Sequence, residues 1–528
     1  MWEFYVRDEY FVMHNDAMQN SHPVIANIKD PVRALDAFDE ITYKKGSIQI
    51  RVLHDWLGDA TFRRALQSYM KKHQYGNTCT NNLWRSLGET SGLPVKRVMD
   101  TWLTQIGFPL INVEIVERNG NSMVLDLSQT KFEGNSSLMN DNALWNIPLF
   151  YVTKRGRSKN ILMYTKTKQI TVSQANDDYF LLNPEHVGFY RVNYPDEILQ
   201  SLSKSIQSQE LSVLNRGMIQ EDLAALARAG YISAKRFFDF IQNYINEDNY
   251  FVWKSVTDSF SDMEKALRNR QELIPLINEY GQKFYETIYK KLTWDLPPNH
   301  KPQDLLVRSL IFAKLSNYEC PVVRAEARRR FKDHQSGITL VPVNMKRAIF
   351  SIYAQNVSDT EYDEIIELYK KAINPGDKGL YSGMLVSTSQ PKQIMKLLNL
   401  ALSEHVRGQD TPGLVIGVAQ TPMGRRITWN FFKQHKQEFK KRYGNDKMAG
   451  DLLFGIINGF ASDEMAQDIE RFMSQFYFPG SEGKVKLALE AIRARALFLR
   501  RQSNIIVDCY KSFIQPDLQP QIPIDYVN

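Results

Sequence analysis

Three cysteines in 528 residues, Cys79, Cys320 and Cys509, stand far apart and odd in number. They exclude a disulfide framework and a cysteine zinc knuckle, and they fit a reducing compartment. No window of about 18 apolar residues occurs to span a bilayer. The opening stretch MWEFYVRDEYFVMHND has no basic n-region followed by an apolar h-region. Neither a membrane span nor a secretory leader is predicted, and the expected location is the cytosol. Charge of one sign is also lacking, since Lys+Arg 66 against Asp+Glu 59 leaves a net +7. The short basic clusters RAEARRRFKDH (324–334) and FKKRYGNDK (439–447) read as solvated helix faces with acids nearby. No basic and aromatic interleaving points to nucleic acid.

Histidine is scarce in a way that matters for metals. None of the nine lies four residues from another, and no H-E-x-x-H occurs. Two imidazoles cannot then face one ion from successive turns of a helix with a glutamate base between them. A G-x-S-x-G elbow, a P-loop and a G-x-G-x-x-G turn are absent as well. His14, His22 and His54 read as hydrogen-bonded structural residues.

What is present is core material. Hydrophobic residues make up 43% and charged residues 24%, which is a globular composition, and the length exceeds what a single core serves. Residues 1–105 carry a helical period: Ile48, Val52 and Trp56 with Leu53, then Phe62, Leu66 and Tyr69, then Leu83, Leu87, Val98 and Trp102. Gly107 and Pro109 read as a stop. The period then falls to two, with Met123, Leu125 and Leu127 on one face. NIPLFYVT, NILMYTKTKQITV and DYFLLNPEHVGFYRVNY follow as short strands, which predicts a small β-sandwich over 106–197.

From 198 to 528 the pattern is helical again. Leu214, Met218, Ile219, Leu223 and Leu226 form one stripe ending at Gly230, and further helices are expected at 305–315, 362–372, 394–402 and 427–443. LPPNHKP and NPGDKG read as connections. The fold class expected is multidomain and mainly α: a partial helical catalytic subdomain (1–105), the small β-sandwich, and a large α-helical, solenoid-like bowl.

Several stretches in order carry a resemblance. They are NSHPV (20–24), FDEITYKKGSIQIRVLHDWLG (38–58), YGNTCTNNLW (75–84), VMDTWLTQIGFPLINV (98–113), NPEHVGFYRVNY (183–194), LTWD (292–295), EARRRFKDH (326–334), ALSEHVRGQDT (401–411) and NGFASDEMAQDI (458–469). In this order the chain resembles the second half of a puromycin-sensitive-type zinc aminopeptidase of the gluzincin clan. The resemblance implies the helical end of a thermolysin-like domain, a β-sandwich and a helical bowl. It implies zinc as the family cofactor and peptides as substrates. It also implies that the H-E-x-x-H, the third-ligand glutamate and the G-x-M-E-N motif lie upstream of this chain's start, so no metal ligand is carried over.

One catalytic residue is. Tyr43 of ITYKKG matches the family tyrosine whose hydroxyl stabilises the tetrahedral intermediate, and a phenol stays protonated at neutral pH to donate that hydrogen bond. Arg407 of EHVRGQD is a candidate for gripping a substrate carboxylate bidentately. Lys44 and Lys45 read as solvated and without a role, Gly46 as a close approach for a neighbouring helix, and Trp429, Phe431 and Phe432 as helix core.

Two functions stay open. One is the C-terminal portion of a zinc metalloaminopeptidase that releases N-terminal residues from peptides. The other is a non-catalytic protein on the sandwich and bowl that binds peptides, a full-length relative or the missing N-terminal half.

Overall fold

A computed structural model describes residues 2–25, 39–138, 142–158, 161–173, 178–295, 299–444, 448–478 and 480–515. The chain divides into two units, Met1–Ile232 and Ser233–Asn528.

The first unit opens with helices Trp2–Asp16, Gly46–Leu57, Asp59–His73, Thr80–Ser91 and Val95–Leu103. The stripe Ile48, Val52, Leu53 and Trp56 is buried as its spacing predicts. The helix Gly46–Leu57 does not begin as an ordinary helix, however, because a π-turn, Ile41–Lys45, precedes it. Gly46 is not a close approach: a Cβ there would meet only Val24, at 3.8 Å. Gly58 (φ 78°) and Gly92 (φ 70°) end their helices in conformations that favour glycine.

The β-segment begins earlier than the period change suggests. Pro109 is the first residue of the strand Pro109–Asn119 rather than part of a stop. Proline is tolerated there because the first strand position can dispense with its N–H. That strand pairs antiparallel with Ser122–Lys131 and parallel with Arg191–Asn193, and Thr167–Ser173 completes a four-stranded sheet. Met123, Leu125 and Leu127 are fully buried on one face. Two smaller sheets join Ile147–Leu149 to Ile161–Met163, and Gly156–Arg157 and Leu181–Leu182 to Tyr151–Thr153.

The helix Val213–Ala229, expected to be amphipathic, is buried on every face. Several of its polar residues find partners inside. Asp222 accepts from Arg191 at 3.0 Å and from the Val192 N–H at 3.0 Å, which ties the helix to the strand Arg191–Asn193. Burial raises the Asp222 carboxyl above its usual range, against the pull of Arg191.

The described residues of the second unit form helices without strands. Tyr250–Leu267 packs on Pro302–Asn317, that on Val343–Ala354, then Pro375–Leu385, Thr411–Ala419, Met448–Ile457 and finally Glu482–Ile514. As far as Thr411–Ala419 each of these packs on the next-but-one helix, the solenoid pattern of local stacking. The 33-residue last helix, about 50 Å long at 1.5 Å per residue, packs back on Ala234–Ile241, Tyr250–Leu267 and Ile274–Lys291. Tyr510 stacks on Tyr280 with centroids 4.0 Å apart.

Two expectations change here. The stretch 427–443 is two helices, Pro422–Gln434 and Lys436–Tyr443, meeting at His435. NPGDKG is a helix start, not a connection: Asn374 caps Pro375–Leu385 by accepting from the Gly376 N–H at 2.7 Å. Residues 296–298 of LPPNHKP lie outside the described residues. The basic cluster 324–334 lies on the helix Pro321–Gln335 with acids alongside, Arg329 pairing with Glu326 and Asp333.

Gly281 faces the ring of Tyr318, and a Cβ there would stand 2.4 Å from the nearest ring atom. Tyr318 cannot swing away freely, because its hydroxyl donates to Glu264 at 2.8 Å. Gly281→Ala is expected to cost about 1–3 kcal/mol through overpacking. A lowered urea midpoint measures it, and an unchanged midpoint refutes the contact.

Candidate functional site

The site is built from the turn that carries Tyr43. Asp39 starts it: one carboxylate oxygen accepts from the Thr42 N–H at 3.0 Å, and the Asp39 carbonyl accepts from the Tyr43 N–H at 3.1 Å. The other carboxylate oxygen lies 2.6 Å from His22 Nε2, while His22 Nδ1 lies 2.9 Å from the Pro23 carbonyl. Both ring nitrogens therefore face acceptors, the arrangement an imidazolium satisfies. The hydrogen bond to Asp39 raises the His22 pKa, and burial works against it.

The far end of the turn is fixed inside the protein. Ile41 and Lys45, four residues apart, both point inward. Lys45 is fully buried, which corrects its reading as solvated. Its ammonium donates to Asp16 at 2.8 Å, to the Gly107 carbonyl at 2.9 Å and to the Gln105 carbonyl at 3.3 Å. Phe189 lies beneath it, 5.5 Å from ammonium to ring centroid. All three donors of the ammonium are thereby used. Asp16 is equally saturated, accepting also from Ser21 Oγ at 2.7 Å and the Gly107 N–H at 3.1 Å.

A charge buried this way is retained only because its partner and its remaining donors are satisfied. Lys44 behaves as expected, partly exposed and 3.5 Å from Asp8. Between these two anchors Tyr43 stands outward, 60% exposed. Such a phenol, on a turn held at both ends, carries one O–H donor at the surface.

Arg51, about two helical turns beyond Tyr43, stacks on Trp2 at 4.6 Å and donates to the Glu185 and His186 carbonyls at 2.7 and 3.1 Å. Those carbonyls are presented by a strained turn in which Asn183, Glu185 and His186 all have positive φ. Asn183 holds the turn closed through its side chain, which accepts from the Gly188 N–H at 2.7 Å and donates to the Gly188 carbonyl at 2.8 Å.

Residues 179–494 match the ERAP1-like C-terminal domain family, and residues 1–102 match the peptidase family M1 domain. The chain belongs to the ERAP1-like C-terminal domain family. It is 27% identical over 521 residues to aminopeptidase A of Gloydius brevicauda, covering 96% of this chain and 54% of that protein. It is 26% identical over 526 residues to puromycin-sensitive aminopeptidase of Caenorhabditis elegans, covering 97% and 55%. Human glutamyl aminopeptidase is 26% identical over 518 residues, covering 96% and 53%. The chain spans about half the length of these curated relatives.

The described residues supply no site that fits the zinc implied by the resemblance. Among the described residues no group of three His, Cys, Asp or Glu side chains could hold a metal ion. His22 and His54 pair with Asp39 and Asp59 respectively. No helix of the described residues is long and apolar enough to cross a membrane. Arg407 belongs to the second unit and is exposed. Asp410 already occupies its fork, at 2.6 Å from Nε and 3.2 Å from one terminal nitrogen. Trp429, Phe431 and Phe432 are buried, as core residues.

His22 is the hydrogen-bonded structural residue its isolation in the sequence implies, whereas sequence reasoning passed over Asp16, Asp39 and Lys45 as contributors. Lys45 had a signal: with Gln49, Val52 and Trp56 it lies on the buried stripe of its helix.

Lys45→Met is expected to cost about 3–5 kcal/mol, because Asp16 is left buried and uncompensated. Lys45→Met with Asp16→Leu should recover part of that loss, as a double-mutant cycle by thermal unfolding can read. His22 gives a pH dependence with a definite sign. Its folded pKa is raised, so its contribution is fully present below the unfolded value of about 6.5 and is lost as pH rises through the folded value. An NMR titration of His22 should place its pKa above that unfolded value, and His22→Asn should remove this part of the pH dependence of stability.

Proposed function

We propose that these residues serve as the carboxy-terminal portion of a zinc aminopeptidase that releases N-terminal amino acids from peptides, with the metal ligands and the amino-group anchor contributed by sequence other than these 528 residues. Tyr43 is the catalytic group in this reading. Its hydroxyl donates to the oxyanion that develops when a peptide carbonyl is attacked.

The observation that carries the reading is the outward phenol on a turn locked by Asp39 at one end and by buried Lys45 at the other. A donor held in place before the reaction costs no reorganisation when charge appears, which is what makes such a group effective. Arg407 is proposed to exchange Asp410 for a substrate carboxylate, since a guanidinium fork accommodates either. The three cysteines are free and unbonded, which suits the proposed cytoplasmic setting.

A second reading, peptide or partner binding without chemistry, is favoured by one feature. The helix Asp59–His73 leaves Phe62, Leu66 and Met70 along an open groove with His54, and Met70 is 65% exposed. Exposed apolar surface of this kind marks binding sites.

The reading frame directly upstream of the Met1 codon is the first test, with an in-frame H-E-x-x-H and G-x-M-E-N expected. In the protein carrying both parts, Tyr43→Phe should lower kcat on a neutral amino-acid amide by about 10²–10³ with little change in KM. The 528-residue chain alone should bind no zinc and turn nothing over. Peptide binding that Tyr43→Phe leaves intact, with no upstream motif, would favour the second reading.

A further inference from the structure

The connection between the helices Pro321–Gln335 and Val343–Ala354 is ordered, yet it leaves apolar side chains in water. Its sequence, SGITLVPV (336–343), is mostly apolar, where connections are ordinarily polar. Gly337 follows the first helix at φ 76°, and the Asp333 carbonyl accepts from the Ile338 and Thr339 N–H groups at 2.9 and 3.3 Å. Val341 is buried, and its N–H donates to His334 Nδ1 at 3.2 Å. The His334 ring in turn lies 5.4 Å from that of Phe350. The Pro342 carbonyl accepts from the Met345 and Lys346 N–H groups at 2.9 and 3.1 Å, which starts the second helix. A backbone held at these points shows Ile338, Leu340 and Val343 to solvent, at 74%, 72% and 81% exposure. Ordering such residues costs conformational entropy that burial normally offsets, and here these three side chains stay in water.

The charges left open beside this connection are of one sign. Most cations of the first helix are engaged: Arg328 pairs with Glu361, Arg329 with Glu326 and Asp333, and Arg330 with Asp295 and Glu326. Lys332 in its last turn, and Lys346 and Arg347 near the start of the second helix, make no ion pair among the described residues. Burial and the Lys346 charge lower the His334 pKa, which sets Lys346 beside the connection and suits an imidazole that accepts from Val341. We propose that the connection is a docking tip for an anionic lipid surface, with Ile338, Leu340 and Val343 entering the interface and Lys332, Lys346 and Arg347 meeting headgroup phosphates. Side chains this exposed stand on a convex tip, which a fluid interface admits without a matching groove. Cations beside inserted apolar residues are the combination that an anionic leaflet attracts. A second copy is disfavoured as the occupant, because a twofold contact would set these cations against their own equals. Docking of this kind is independent of the aminopeptidase reading.

The test uses the full purified chain and vesicles of phosphatidylcholine with about one third phosphatidylserine, with co-sedimentation as the readout. Saturable binding is expected, falling as salt rises and weaker by about ten-fold or more on pure phosphatidylcholine. Lys346→Gln with Arg347→Gln should weaken it about 25-fold, from about five-fold for each cation. Ile338→Ser with Leu340→Ser should weaken it about ten-fold or more. If one of these pairs fails to fold by circular dichroism, the other decides. Absence of binding to the mixed vesicles overturns the proposal. Binding that the folded apolar pair leaves unchanged overturns it equally, as diffuse attraction of a net positive chain. Self-association that the same substitutions abolish, without vesicle binding, overturns it in favour of a second copy.

Discussion

The first unit depends on one buried ion pair. Asp16 ends the first helix, Lys45 ends the π-turn, and the two meet at 2.8 Å with no solvent around either. Removing both charges from water is expensive, and their attraction offsets that cost only when every remaining donor and acceptor is used. Here the backbone of residues 105–107 does that work, giving two carbonyls to the lysine and one N–H to the aspartate. A single interaction thus fixes the first helix, the turn of Tyr43 and the passage from helices into sheet. The aromatic contacts around it, Phe108 with Phe132 and Phe189, keep the pair dry.

This arrangement explains how an exposed tyrosine is held steady. Tyr43 points outward, and its turn inherits order from the neighbours two residues either side. Positions 41 and 45 are buried while 43 is not. The Asp39 carboxylate fixes the entry to the turn and shares itself with His22. The turn that carries the phenol is therefore held by buried residues, and rigidity reaches it from the core outward.

The second unit obtains its order differently. Helices bury their faces on neighbours one to three places along the chain, so contacts are local in sequence until the last helix returns to the first three. The stack of Tyr510 on Tyr280 and the packing of Phe238 against both Phe260 and Tyr510 mark where the return is made. A local array gains cooperativity from such a closure, because its terminal helices no longer stand alone.

Periodicity alone determined a good deal. The alternation at Met123, Leu125 and Leu127, the four-residue spacing of Ile48, Val52 and Trp56, and the helical stretches after Gly230 are legible because burial of one face imposes a repeat on the sequence. Ordered motifs pointed to the family and to Tyr43. Tertiary structure decided the rest, for reasons that no repeat encodes. Lys45 reads as solvent-facing until Asp16, 29 positions earlier, is brought against it. The polar residues of Val213–Ala229 read as an outer face until Arg191 is placed inside to meet Asp222. Arg425, next to Arg426 in the sequence, is buried where Gly459 packs on it. A charged side chain is inside or outside according to what the chain folds against it, and that partner lies tens of residues away.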